Sequence, residues 1–365
     1  MGASFDTSSG SRRDGGWKPP LVAALRRMAA GDLSGALPHL EQAHRLGPDV
    51  PEVCLAYGRE LARAGNRLGL DLLERAYRAD RTLLSAGAEL ARQLAAIGEL
   101  DRARSIADEL VCDHPDDALA RICRGEIAVD DRRLADAEAD ATRALNLAND
   151  DDKGTRAARA LLARCHNQRG IERAESDDFE SALFAFRRAA DLDPEWSAPL
   201  TNMGAAFSRI GKHRRALDLY RQAADVEPDN PLPSFNIGLE LIELGEWTTA
   251  RSRLEHTVGA LLASDRRSSS LLAQAHCALA RVYRQLGADA RAVRALEYAS
   301  HLVGAGAEIW AELARAHIRC GELSKARRAA RIALALAPDS DHVRQAWSEF
   351  AGLRARMRAR RRNAR

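Results

Sequence analysis

A chain of 365 residues would ordinarily fill two or three globular domains, but this one is rich in Ala, Leu, Arg and Glu and poor in aromatic and β-branched residues, which argues for helix throughout. Its net charge is only +3, and seven arginines follow Leu353 with no acidic residue among them, so the body before them is slightly acidic and binds no polyanion by bulk charge. Six cysteines (Cys54, Cys112, Cys123, Cys165, Cys277 and Cys320) are scattered singly, which excludes a disulfide-stapled secreted framework and fits reduced thiols in the cytoplasm.

Residues 1–16, rich in Ser, Gly and Asp, are expected to be a disordered segment. The first apolar stretch, Leu21 to Ala30, is interrupted by Arg26 and Arg27, so neither a signal peptide nor a membrane span is expected. From Trp17 onward a pattern recurs. The unit 17–50 carries Gly31, Ala36, Leu40, Ala43 and Pro48; the unit 51–83, one residue short, carries Gly58 and Gly65. Next come 84–117, with Gly98, Ala103, Ala107 and Pro115, and 118–151, with Gly125, Ala137, Ala141 and Ala144. Residues 152–162 interrupt the pattern and are expected to lengthen the following helix, with Thr155 as its N-cap.

The unit 163–196 resumes with Gly170, Ala182, Phe186, Ala189 and Pro194, and 197–230 is the clearest, with Leu200, Met203, Gly204, Phe207, Gly211, Ala216, Tyr220, Ala223 and Pro228. Gly238, Leu241, Gly245, Ala250 and Leu254 continue it through 231–264. A second interruption, Asp265 to Leu272, reads as a loop with an N-cap. The units 273–306 and 307–340 then pair Ala280, Tyr283, Gly287, Ala292, Leu296 and Ala299 with Ala314, His317, Gly321, Ala326, Ala330 and Ala333. A capping helix is expected over 341–357, burying Trp347, Phe350 and Leu353, with a basic tail over 358–365.

These residues have a mechanical logic. Leu200, Met203 and Phe207 fall three and four apart, one apolar stripe on a first helix. Gly204 and Ala216 are small enough for two helices to cross closely. Gly211 ends the first helix in the left-handed conformation, and Pro228 stops the second. Only Pro38 is awkward, and it is placed within a first turn. Nine such units, most of them 34 residues long, resemble the tetratricopeptide repeat family over residues 17–340, although the family's frequent early Trp survives only at Trp310. The resemblance implies an all-α, right-handed α-solenoid of about nine helix–turn–helix repeats closed by a C-terminal helix. The arginine bias, with only four lysines among 55 basic residues, reads as GC-rich bacterial coding.

No catalytic constellation emerges. Gly211-Lys212 lacks the first glycine and the hydroxyl of a phosphate loop, and HExxH, G-x-S-x-G and GxGxxG are absent. His317 and Cys320 have two-ligand metal spacing, but His317 fills the slot of Phe207 and Tyr283 and reads as core. No cofactor or metal is expected. Residues offset from the packing stripe of the first helices face a groove, which nominates Gln168, Asn202 and Asn236 as an amide row able to pair with a peptide backbone, beside Arg209. That row is similar to the asparagine rows in the repeat domain of O-linked sugar transferases. Toward the C-terminus, Arg281, Arg284, Arg315 and Arg319 suit an acidic segment. The expectation is a non-catalytic scaffold for another protein or peptide. The alternatives are a regulatory or recruiting subunit of an enzyme on another chain, and nucleic-acid or membrane-surface binding by the arginine tail. Nucleic acid is the less favoured partner, because the tail has no aromatic platforms.

Overall fold

The computed structural model describes residues 16–148, 153–263, 269–302 and 306–363, the side chains of 357–363 excepted. Among the described residues there are nineteen α-helices and no strand. The chain divides into two compact units, residues 1–173 with 191–193 and residues 174–190 with 194–365. The expected disordered segment lies outside the described residues but for Gly16.

In the first unit, helices alternate along the chain as α1 (Lys18–Ala29), α2 (Leu33–Leu46), α3 (Pro51–Arg63), α4 (Arg67–Ala79), α5 (Leu84–Ala96), α6 (Leu100–Asp113), α7 (Ala118–Asp130) and α8 (Leu134–Leu147), followed by α9 (Lys153–Glu175). Each odd-numbered helix up to α7 folds back on the next as a hairpin, and α3 also packs on α5, and α5 on α7. Stacked hairpins are what a solenoid requires, because one hairpin alone leaves an apolar side uncovered.

The second unit repeats this arrangement with α11 (Ala198–Arg209) on α12 (His213–Val226), α13 (Pro231–Glu243) on α14 (Trp247–Ala263), α15 (Ser269–Gln285) on α16 (Asp289–His301) and α17 (Ala307–Arg319) on α18 (Leu323–Leu336). Helix α10 (Phe179–Leu192) precedes them, and α19 (Asp341–Asn363) closes against α17 and α18. Within each unit the stacked hairpins form an α-solenoid.

Why these residues do this is visible at three kinds of position. Near the start of every second helix but α4 a single alanine is sealed from solvent: Ala36, Ala103, Ala137, Ala182, Ala216, Ala250, Ala292 and Ala326. Any larger side chain there would push the helices apart. At the helix starts, the side chains of Asp32, Asn66, Asp117 and Asn230 accept backbone N–H groups from Gly35, Leu68, Leu119 and Leu232, satisfying donors that the helix itself leaves free. At the turn between paired helices Gly211 takes φ +75°, and six further glycines do the same elsewhere. Two turns lack glycine, and Arg132 and Asp177 hold φ near +60° in its place, a conformation that costs a side chain roughly 1 kcal/mol.

Several expectations need correction. Helix α9 begins at Lys153, so Thr155 lies buried inside its first turn and is not the N-cap; Asp152 lies outside the described residues. The loop expected between Asp265 and Leu272 falls outside the described residues up to 268, and helix has resumed by Ser269. Pro38 stands in the second turn of α2; its ring is exposed, so the carbonyl of Ser34 that loses a helical partner can be hydrated instead. Leu200 and Phe207 are only half-buried, while Met203, Gly204 and Ala206 form the buried side of α11. The closing helix runs to Asn363 and buries Val343, Ala346 and Phe350, with Trp347 and Leu353 half-covered, because α19 meets two helices and its buried side follows i, i+3, i+7 from Val343.

Candidate functional site

The first helices of each hairpin carry long charged side chains, and the structure links them across neighbouring hairpins. In the first unit Arg92 of α5 reaches Glu126 of α7 at 2.8 Å and Glu89 of its own helix at 3.2 Å, and Arg164 of α9 reaches Asp130 of α7 at 3.1 Å. Glu60 and Glu89 are buried, the former held by Arg59 at 3.1 Å. Both Arg92–Glu126 and Arg164–Asp130 join residues 34 apart, one repeat period. The opposed charges therefore form a ladder whose rungs run from hairpin to hairpin.

The second unit continues the scheme with every arginine that the sequence singles out. Arg209 donates to Asp177 at 2.8 Å and to the Ala174 carbonyl at 2.8 Å, its guanidinium lying over the Phe179 ring. Arg281 of α15 meets Glu243 of α13 at 3.1 Å, Arg284 of α15 meets Glu312 of α17 at 3.5 Å, and Arg319 of α17 meets Asp289 at 3.0 Å. Arg315 is the most enclosed: its side chain is only 11% exposed, and it faces Glu312 at 2.7 Å, Glu349 of α19 at 3.4 Å and the ring of His342. Arg315 and Glu349 are again 34 residues apart. The sequence pattern singles out these arginines but not their acidic partners. A signal for the partners exists, since an acidic residue stands one period from Arg92, Arg164 and Arg315.

Three of the four C-terminal arginines come together. Arg281, Arg284 and Arg319 line one groove of about 530 Å³ between α15 and α17, while Arg315 lies outside it. The floor is apolar, made by Cys277, Ala280, Leu296 and Ile309, and Glu308, Glu312 and His342 complete the rim. Burial, with the nearby Glu312 carboxylate adding to it, pushes the Cys277 thiol up to about 11, so at neutral pH it is a small apolar filler and not a nucleophile. The same holds for Cys165, raised to about 11 chiefly by burial, and for Cys123, raised to about 12.

The amides behave differently. Asn236 of α13 and Gln168 of α9 are half-buried and have no hydrogen-bond partner among the described residues, whereas Asn202 of α11, also half-buried, is engaged within the protein. Gln168 belongs to the first unit, and Asn202 and Asn236 to the second. His317 is core: 3% exposed, it shares a hydrogen bond of 2.8 Å with Glu322, and the adjacent Cys320 is exposed. Among the described residues no group of three His, Cys, Asp or Glu side chains is placed to hold a metal ion, and no helix is long and apolar enough to cross a membrane.

With this geometry in hand, comparison with known proteins is informative about the fold. Residues 200–234 and 307–350 match models of the tetratricopeptide repeat. Among solved structures, a chain in the APC/C hetero-tetramer Cut9-Hcn1 superposes with a TM-score of 0.55 at 15% identity, over 87% of this chain and 59% of that one. This chain thus spans about three fifths of that chain's length. A tetratricopeptide repeat protein from Parabacteroides merdae superposes with a TM-score of 0.50 at 17% identity, over 71% of this chain and 98% of that one. No curated protein matches the sequence.

Proposed function

Because the chain is a tetratricopeptide repeat protein, we propose that it is a non-catalytic scaffold that holds a segment of another protein along its first helices, with the groove between α15 and α17 as the principal docking place. One observation carries this reading. The groove has an apolar floor with three arginines on its rim, and two of these reach their acidic partners only at 3.1 and 3.5 Å, from side chains that are between a third and a half exposed. Such pairs are worth at most about 1 kcal/mol each, so a ligand carboxylate can take over a guanidinium at small cost. The ligand that fits has an apolar side chain to lie over Ile309 and an adjacent carboxylate for Arg281 or Arg284. Asn236, one hairpin earlier, supplies an amide for the ligand backbone.

The test is selection of peptides from a random library on the intact protein, followed by anisotropy titration of the best binder. Ile309→Asp forfeits about 2 kcal/mol of apolar burial and is expected to weaken binding about thirtyfold. Arg281→Ala with Arg284→Ala is expected to weaken acidic peptides more than neutral ones. Helicity by circular dichroism should not change. Peptides that bind equally well to both variants would remove this groove from the account.

A further inference from the structure

The arginines of the second helices are treated differently in the two units. In the first unit, α2, α4, α6 and α8 carry seven arginines, and six of them are ion-paired, as Arg75 is with Asp49 at 2.6 Å and Arg143 with Asp116 at 3.0 Å. In the second unit, α12, α14, α16 and α18 carry ten, and among the described residues only Arg221 has a carboxylate within reach, Asp218 at 3.4 Å. Arg291 and Arg294 on α16 and Arg327, Arg328 and Arg331 on α18 are exposed without an ion pair among the described residues, and α18 contains no acidic residue. Arg214 and Arg215 extend the row to α12, and between them Arg251 and Arg253 of α14 are half-buried. Arg215 and Arg291 lie over the Phe207 and Tyr283 rings, contacts that add no negative charge. These four helices hold eleven Lys and Arg against five Asp and Glu.

Like charges three and four residues apart, as Arg291 with Arg294 or Arg327 with Arg331, repel along a helix, and a bound anion relieves the repulsion. Packing lays these charges out as a band. Within the second unit α13 packs directly on α15, whereas α12, α14, α16 and α18 are joined to one another through the first helix between each pair. The second helices therefore fan apart as the convex layer of this unit, successive ones at least about 8–10 Å from axis to axis. An extended polypeptide rises about 3.3 Å per residue and so passes from one helix to the next in three or more residues. Glu255 on α14 and Glu297 on α16 stand in the same layer and divide the arginines into clusters.

From this arrangement we infer that the outer layer of the second unit, from α12 to α18, binds an extended acidic segment of another protein whose carboxylates are spaced to meet one helix after the next. The guanidinium fork matches a carboxylate, which is why arginine suits this task. A nucleic-acid duplex is stiff over far more than this length and a membrane is flat, so each touches a convex layer only along its crest. A flexible polypeptide follows the curve. Glu255 and Glu297 would also repel a strand charged at every residue, whereas a peptide can place neutral residues beside them. This surface lies on the second helices, apart from the groove between α15 and α17, and does not depend on that groove having a ligand.

The probe is a fluorescein-labelled peptide of glutamates separated by pairs of glycine and serine residues, titrated with the full chain and followed by anisotropy. Binding is expected, weakening as salt is added. R294A/R328A/R331A should weaken it about tenfold, at roughly twofold for each exposed pair lost, and Glu297→Gln should strengthen it about twofold. Arg75→Ala with Arg143→Ala, which removes paired arginines of the first unit, should leave it unchanged, as should Ile309→Asp in the groove. Circular dichroism checks that each variant stays helical. An unchanged affinity in the triple variant overturns the inference. So does an equal loss in the first-unit variant, a loss in Ile309→Asp, or tighter binding of a DNA duplex or of phosphatidylserine vesicles at equal charge.

Discussion

Gly69→Ala pits the repeat pattern against the geometry. Eight second helices carry a sealed alanine at this position, so pattern alone makes alanine at the ninth harmless, and the helix-propensity gain over glycine is close to 1 kcal/mol. The second hairpin is one residue short, however, and its crossing residue is Gly69, whose backbone N–H bonds to Asn66 three residues back, where Ala216 and Ala103 bond four back. That tighter entry brings α4 against α3 so closely that a Cβ on Gly69 would stand 2.2 Å from the Ala62 nitrogen and 2.7 Å from the Gly58 carbonyl oxygen. Both obstacles are backbone inside a helix, so neither can rotate away, and the helices must separate by more than an ångström. Overpacking of this kind costs about 1–3 kcal/mol, and the severity here points to the upper end. Net of propensity, Gly69→Ala is expected to destabilise the first unit by about 2 kcal/mol, a fall of roughly 4–8 °C in its thermal transition for a unit of this size. Thermal and urea unfolding followed by circular dichroism measure it. A variant that unfolds at or above the wild-type temperature refutes the clash argument and restores the simple pattern rule.

Two further outcomes follow from local surroundings. Gly259 lies exposed inside α14 with nothing within 4 Å of where a Cβ would be, so Gly259→Ala is expected to stabilise by about 0.5–1 kcal/mol, read as a rise in the urea midpoint. His276 packs on the Tyr298 ring at 4.4 Å with both ring nitrogens sealed from solvent and lacking partners among the described residues, and burial holds its pKa below the usual 6.5. The unfolded chain therefore binds the proton more readily, so this contribution to stability is complete above pH 6.5 and is lost as the pH falls through the lower folded value. Urea midpoints across that range should fall in the wild type and fall less in His276→Phe; parallel curves for the two proteins dispose of the idea.

What could be read from the sequence divides by the range of the interaction. Alanine at all but one of these positions, glycine at most turns and the core place of His317 are dictated by packing within one hairpin, whose geometry the 34-residue spacing fixes. The short repeat 51–83 is visible as a missing residue, yet the presence of Gly69 in place of alanine acquires meaning only once the tighter entry of α4 is seen. At the turns without glycine, Arg132 and Asp177 adopt the same positive φ, showing that the hairpin's packing imposes the turn and glycine only lowers its cost. The groove arginines are legible as residues facing outward from the packing stripe, but not as members of ion pairs. A guanidinium reaches several ångströms in any of several rotamers, and its partner depends on the stagger between successive hairpins. Where that stagger repeats, the pairs recur at one period, as in Arg92–Glu126 and Arg315–Glu349; where an insertion precedes α15, the partner of Arg281 lies 38 residues back at Glu243. Ion pairs of this kind hold adjacent hairpins in register while remaining exposed enough to exchange partners, and a solenoid that must both keep its stagger and accept a charged ligand needs both properties in the same residues.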